Sequence, residues 1–153
     1  MSVPEGQRSR GKLAIETEAE SFLQYILNIT TKYYLPYDAN KTQPTEDEIR
    51  AYVDAKWFAE CMRKEALSCL SNIQTANKIV IEDEETFHER RRLQTQAERD
   101  IENVMTAASL MYRRKLIKSK RIKHIGTQIG HMKRMIQNWR KSDKARYTKS
   151  ENK

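Results

Sequence analysis

The sequence predicts an all-α fold, an antiparallel up-down bundle of four helices. Three observations carry that expectation. Apolar residues recur by threes and fours through most of the chain, only four glycines and three prolines interrupt 153 residues, and no stretch alternates polar and apolar side chains as a half-buried strand would. Charged residues make up 33% and apolar residues 38%, a balance that suits long amphipathic helices with solvated outer faces.

Residues 1–11 are polar, with Pro4, Gly6 and Gly11, and predict an irregular arm. From Lys12 the helical period begins, with Ile15, Ala19, Phe22, Ile26, Ile29 and Tyr33 on one stripe. Glu16, Glu18 and Glu20 place negative charge near the positive end of that helix's dipole. Pro36 disfavours helical geometry at the residue before it, so the first helix should end near Tyr34. Leu35 to Gln43 form the connection, and Thr45 with Glu48 reads as a capping box opening the second helix.

The second stripe is Tyr52, Ala55, Ala59, Met62, Ala66, Cys69, Ile73 and Ala76. Its many small residues allow a neighbouring helix to approach closely. Trp57, Phe58, Leu67 and Leu70 widen the apolar face, which fits either a second contact surface between subunits or burial in the middle of a bundle. The third helix is predicted from about Asp83 to Lys115, with Leu93, Ala97, Ile101, Val104, Ala108 and Met111 inward.

The fourth helix, capped by Ser119, carries Ile122, Ile125, Ile129, Met132, Ile136 and Trp139 in steps of three and four. Its other positions are mostly basic: Lys118, Lys120, Arg121, Lys123, Lys133, Arg134, Arg140 and Lys141. After Trp139 the apolar period is lost. The bundle is therefore expected over 12–141, and 142–153 as a basic, disordered tail.

Charge is distributed unevenly. Leu110 to Lys153 holds 15 Lys or Arg against 2 acids, while the preceding residues hold 14 against 19. A basic C-terminal quarter on an acidic remainder points to polyanions. Arg90, Arg91, Arg113, Arg114, Lys120, Arg121, Lys123, Lys133 and Arg134 are the candidate nucleic-acid contacts, chosen by charge and expected exposure. Arginine presents a fork of donors that matches phosphate oxygens. For Arg90 to Arg92, pairing with Glu85 and Glu89 along the same helix is the competing explanation. Tyr112, Trp139 and Tyr147 are the only aromatic residues near the basic cluster, so phosphate contacts should dominate over base stacking.

No equipment for catalysis is visible. His88, His124 and His131 lack the spacing of a metal pair, and there is no HExxH motif, phosphate-binding loop or nucleophile elbow. Helical RNA nucleases of the HEPN group separate an arginine from a following histidine by about four to six residues; Arg121 and His124, with two residues between them, are too close together for that pattern. No metal or cofactor is expected. Cys61 and Cys69, eight residues apart on one helix, lie ~12 Å apart along the axis and cannot bridge. No apolar run reaches the ~20 residues of a membrane span, and the N-terminus lacks a signal-peptide core. A reduced, cytoplasmic setting is the expectation. Gly126 and Gly130 sit in mid-helix at ~1 kcal/mol each relative to alanine, which close approach of a helix or of a nucleic-acid backbone would offset.

Three stretches carry a family resemblance: VPEGQRSRGKL (Val3 to Leu13), NIQTANKIVIEDEETFHERRRLQTQA (Asn72 to Ala97) and NWRKSD (Asn138 to Asp143). Together they resemble the accessory variability determinant (Avd) proteins of diversity-generating retroelements, relatives of proteins encoded by intervening sequences in 23S rRNA genes. Where many relatives carry Trp-Thr-Gly early in the last helix, this chain reads His124-Ile125-Gly126-Thr127. The resemblance implies a four-helix protomer in a homo-oligomeric ring or barrel, typically a homopentamer. It also implies a non-catalytic partner of a retroelement reverse transcriptase and its template RNA or RNA-DNA hybrid, supporting cDNA synthesis in mutagenic retrohoming. Composition alone leaves a second reading open: a helical protein-interaction scaffold whose charge serves solubility.

Overall fold

The structure, a computed structural model, describes residues 13–35 and 45–151. The expected arm at 1–11 and most of the first connection lie outside the described residues. Four α-helices account for nearly all of the rest: α1 (Ala14–Thr30), α2 (Glu46–Lys78), α3 (Glu84–Arg113) and α4 (Ser119–Glu151). No strand occurs among the described residues.

Several helix boundaries have a local cause, although α1 starts after Leu13 without a side-chain cap and Ser119, the expected cap of α4, is that helix's first residue. The Thr30 hydroxyl donates to the Ile26 carbonyl at 2.6 Å and that of Thr31 to Leu27 at 2.7 Å, and the chain then tightens into a 3-10 turn over Thr31–Tyr34. Arg63 of α2 donates to the Thr30 hydroxyl at 2.7 Å and to the Leu27 carbonyl at 3.0 Å, so a neighbouring helix supplies a donor that α1's end lacks. Thr45 caps α2 by accepting from the Glu48 N–H at 3.2 Å. At the start of α3, Thr86 N–H donates to Asp83 Oδ1 at 2.8 Å while Asp83 N–H donates to Thr86 Oγ1 at 3.1 Å, a reciprocal box.

α3 ends in a Schellman turn. Lys115 N–H donates to the Tyr112 carbonyl and Leu116 N–H to that of Met111, with Lys115 in the left-handed region at φ 61°.

α1 packs on α2, α2 most extensively on α3, α3 on α4, and α4 returns to α1; the diagonal pairs make no close backbone approach. That ring of contacts encloses one core. Phe22, Ile26, Met62, Ile73, Ile101, Met111, Ile125, Met132 and Ile136 are its largest apolar side chains, each almost wholly sequestered. Burying one such side chain contributes roughly 2 kcal/mol. Ala55, Ala59, Ala66, Ala76, Ala97 and Ala108 are buried between them, and their small size lets α2 and α3 approach closely. The extra apolar residues of α2 divide: Phe58 and Leu70 are buried, while Trp57 and Leu67 stand in solvent at 59% and 56% exposure.

Two expectations are corrected. Residues 142–151 are not a frayed tail: α4 continues unbroken to Glu151. Nor is Arg90 a surface residue, since it is 3% exposed. The two errors share one cause. Arg90 Nε and Nη2 donate to the two Asp143 carboxylate oxygens at 2.7 and 3.0 Å, Gln94 Nε2 donates to Asp143 at 2.7 Å, and Arg90 Nη1 reaches the Ile79 carbonyl at 3.0 Å. One turn further along α4, Tyr147 stacks on Phe87 with ring centroids 4.3 Å apart. Beyond Trp139 a polar and aromatic seam replaces the apolar stripe and holds α4 to α3.

Candidate nucleic-acid interface

The core side of α4 fixes where its charge goes. At 100° per residue, Ile125, Ile129, Met132 and Ile136 fall on one side of the helix and are buried. Lys120, Lys123, Arg134 and Lys141 fall within about 60° of one another on the opposite side. All four are exposed. The stripe is ~31 Å long at ~1.5 Å per residue, about the length of nine base pairs at a ~3.4 Å rise. His131 is exposed just beyond one edge of this arc, and Gly130, partly buried, lies just beyond the other.

The nine candidates separate by what already occupies them. Arg113, Lys120, Arg121, Lys123 and Arg134 are exposed, and none of them enters an ion pair among the described residues. Arg121 makes one long bond, 3.4 Å, to the Tyr25 hydroxyl. Arg114 is exposed but pairs with Asp54 of α2 at 2.9 Å, and Lys133 pairs with Glu102 of α3 at 2.9 Å. Arg91 is half-buried, lies over the Phe87 ring and donates to the Arg140 carbonyl at 3.2 Å. Arg90 is spent entirely on Asp143 and Ile79. Arg92, by contrast, shows the within-helix pairing considered for the triplet, gripping Glu89 at 2.8 Å.

The nine candidates leave out several members of the basic surface, two of which, Lys118 and Lys141, the sequence places among the basic positions of this helix. Lys141 shares the stripe, seven residues beyond Arg134, and the helical period alone could have added it. Arg140 beside it is instead drawn inward, with Nη2 on Glu98 at 3.0 Å and Nη1 on Thr95 at 3.1 Å. Lys32 and Lys115 reach the same end of the molecule as Lys118, Lys120 and Arg121, around a common cavity. That grouping depends on how α1 and the α3–α4 link come together, which no single stretch encodes.

Among the described residues, no group of three or more His, Cys, Asp or Glu side chains is placed to hold a metal ion. No described helix is long and apolar enough to cross a membrane. Fold and surface together define a class: a small helical protein with one basic helix face turned away from its core. No protein-family model, curated protein or solved structure matches the chain.

Proposed function

We propose that this protein binds nucleic acid without acting on it chemically, as an accessory to a retroelement reverse transcriptase and its template RNA or RNA-DNA hybrid, in support of cDNA synthesis. The observation that carries the reading is the row of exposed cations on α4, Lys120, Lys123, Arg134 and Lys141, which have no ion pair among the described residues and lie opposite the buried stripe. Such a face contacts phosphates in a way that tolerates sequence and responds steeply to salt. The retroelement context rests on the resemblance of Val3 to Leu13, Asn72 to Ala97 and Asn138 to Asp143 to Avd proteins, and a cytoplasmic location goes with it.

The same reading takes the protomer as an antiparallel up-down bundle that assembles with copies of itself, with five as the number the resemblance implies. The cross-helix pairs support the antiparallel arrangement, because Asp54 meets Arg114, Glu65 meets Asn103 and Asn72 meets Asp100. Self-assembly is supported by Ile49, Val53 and Trp57, a line of exposed apolar side chains one turn apart on α2, with Leu67 further along the same face. That line also favours the alternative of a protein-interaction scaffold with no nucleic-acid role.

Light-scattering mass after size exclusion, with and without a structured RNA and at two salt concentrations, tests the proposal. A multiple of 18.1 kDa that gains RNA at low salt and loses it at high salt is the expected result. An RNA affinity that is absent, or indifferent to salt, would overturn it in favour of the scaffold.

A further inference from the structure

A cavity of about 750 Å³ opens at the end of the bundle where α1 stops, α3 turns and α4 begins. Its rim carries Lys32 of the 3-10 turn, Lys115 and Lys118 of the link, and Lys120, Arg121 and His124 of α4. Among the described residues, no Asp or Glu lines it. None of the five Lys and Arg enters an ion pair among the described residues. Five cations converging on one opening repel one another, and an anion between them relieves that repulsion.

Lys115 makes the arrangement more specific. It occupies the left-handed position of the Schellman turn, at φ 61°, where glycine is the easiest residue to place. A lysine held there against its backbone preference directs a charged side chain to the cavity wall. α4 also starts at this rim, and the leading N–H groups of a helix lack carbonyl partners and favour negative charge.

The interior has a different character. Ile29, Met62 and Met111 contribute apolar surface, while Tyr25 and Tyr33 contribute aromatic rings. Tyr25 and His124 meet edge to face with centroids 4.8 Å apart, which fixes one aromatic wall. The volume lies within the range of small-molecule sites, ~300–1,000 Å³, and exceeds what a bare phosphate needs.

We propose that this cavity is a nucleotide site: the cationic rim holds a phosphate, and the aromatic and apolar interior takes the attached nucleoside. The proposal rests on the nucleic-acid reading for the source of its ligand and extends it from a face that tracks phosphates to a pocket that seats one unit. The nucleotide is either free or part of an RNA strand, and the two share the chemistry recognised here.

The full-length protein is tested by fluorescence polarisation with a labelled RNA oligonucleotide, and by calorimetry with ATP, adenosine and inorganic pyrophosphate. The triple variant Lys32→Gln, Lys115→Gly, Lys118→Gln is compared with an equal loss of charge at exposed sites elsewhere, Lys64→Gln, Lys78→Gln, Lys144→Gln. Lys115→Gly relaxes the turn, so the single variant should melt no lower than wild type while it weakens binding. Removing three phosphate-facing charges should cost about tenfold or more in affinity beyond the control triple. If ATP binds more tightly than pyrophosphate, adenosine binds weakly or not at all, and the cavity triple abolishes the heat of ATP binding, the site takes free nucleotides. If free nucleotides fail at millimolar concentration but RNA binding depends on the cavity triple, the site takes a strand unit. Both results support the proposal. If RNA binds, both triples weaken it equally and no nucleotide binds, the cavity proposal falls and the broader basic face stands. If pyrophosphate binds as tightly as ATP, the nucleoside takes no part and the nucleotide assignment is wrong. If neither RNA nor nucleotide binds, both readings fall.

Discussion

Arg90 and Asp143, 53 residues apart in the chain, form a two-pronged ion pair with both side chains all but sealed from solvent. The pair joins the start of α3 to the last third of α4, with Gln94 also donating to Asp143 and the Ile79 carbonyl accepting from Arg90. Removing one partner leaves a buried charge without compensation, which costs about 3 kcal/mol or more. Asp143→Ala should therefore destabilise the protein by that order in urea titration, and helical circular dichroism should fall as the turns beyond residue 143 fray. The double variant Arg90→Leu, Asp143→Leu should recover part of the loss, since no charge is then left buried while Gln94 Nε2 and the Ile79 carbonyl still lose these partners. A cost below about 1 kcal/mol for Asp143→Ala would mean that the pair does not anchor the end of α4.

This pair also marks where reading the sequence alone stops working. The four helices were legible because burial imposes a period, and all six inward positions from Leu93 to Met111 are buried as that period predicts. Asp143 and Arg90 follow no such period. Each looks like a surface residue until its partner, on another helix, is known. The basic face shows the same limit: charge and period identified Lys120, Lys123 and Arg134, but nothing local distinguished them from Arg114 and Lys133, whose acids are Asp54 on α2 and Glu102 on α3.

The two cysteines should differ in reactivity. Cys69 is fully buried, and burial, reinforced by the nearby Asp100 carboxylate, pushes its thiol well above the usual cysteine range. Cys61 is half-buried. Because the thiolate is the reactive form, Ellman's reagent should titrate one thiol in the native protein and two in denaturant. Equal rates at both cysteines in the folded state would contradict the burial of Cys69.

Capping of α3 should be lost in acid. The backbone N–H of Thr86, then its hydroxyl, holds the Asp83 carboxyl below its ordinary range. A depressed folded value means that the ionised cap stabilises fully above the unfolded value of about 3.9, and that this contribution fades as pH falls through the lower folded value. Asp83→Asn keeps an oxygen acceptor with no charge to titrate. Wild type and Asp83→Asn should thus converge in melting temperature as pH drops from 5 towards about 2. A constant gap over that range would remove the ionised cap as the cause.

Gly126 and Gly130 are not forced by packing within the protomer. A Cβ on Gly126 would meet the Met105 methyl at 3.7 Å, and one on Gly130 would come no nearer than 4.0 Å to Arg134, both ordinary contacts. Alanine should therefore stabilise α4 at each position by about 1 kcal/mol, or roughly 3 °C in melting temperature. Gly130 lies beside the basic stripe, so Gly130→Ala has a second use. A more stable protein with weaker RNA binding would place the nucleic-acid backbone against that glycine; unchanged RNA binding would leave the residue a tolerated imperfection.

The salt dependence of RNA binding separates cations that are free from cations that are spent. Lys123, Arg134 and Lys141 share the outer face of α4 and have no acidic partner among the described residues. Arg114 and Lys133 carry the same charge but already face Asp54 and Glu102. Each phosphate neutralised on a single strand contributes about 0.7 to the slope of log affinity against log salt. Changing Lys123, Arg134 and Lys141 to glutamine should make that slope shallower by about 2. The pair Arg114→Gln and Lys133→Gln should leave it nearly unchanged, because these side chains give up a carboxylate before they can reach a phosphate. Equal slopes for the two variants would mean that net charge, not the α4 face, governs binding.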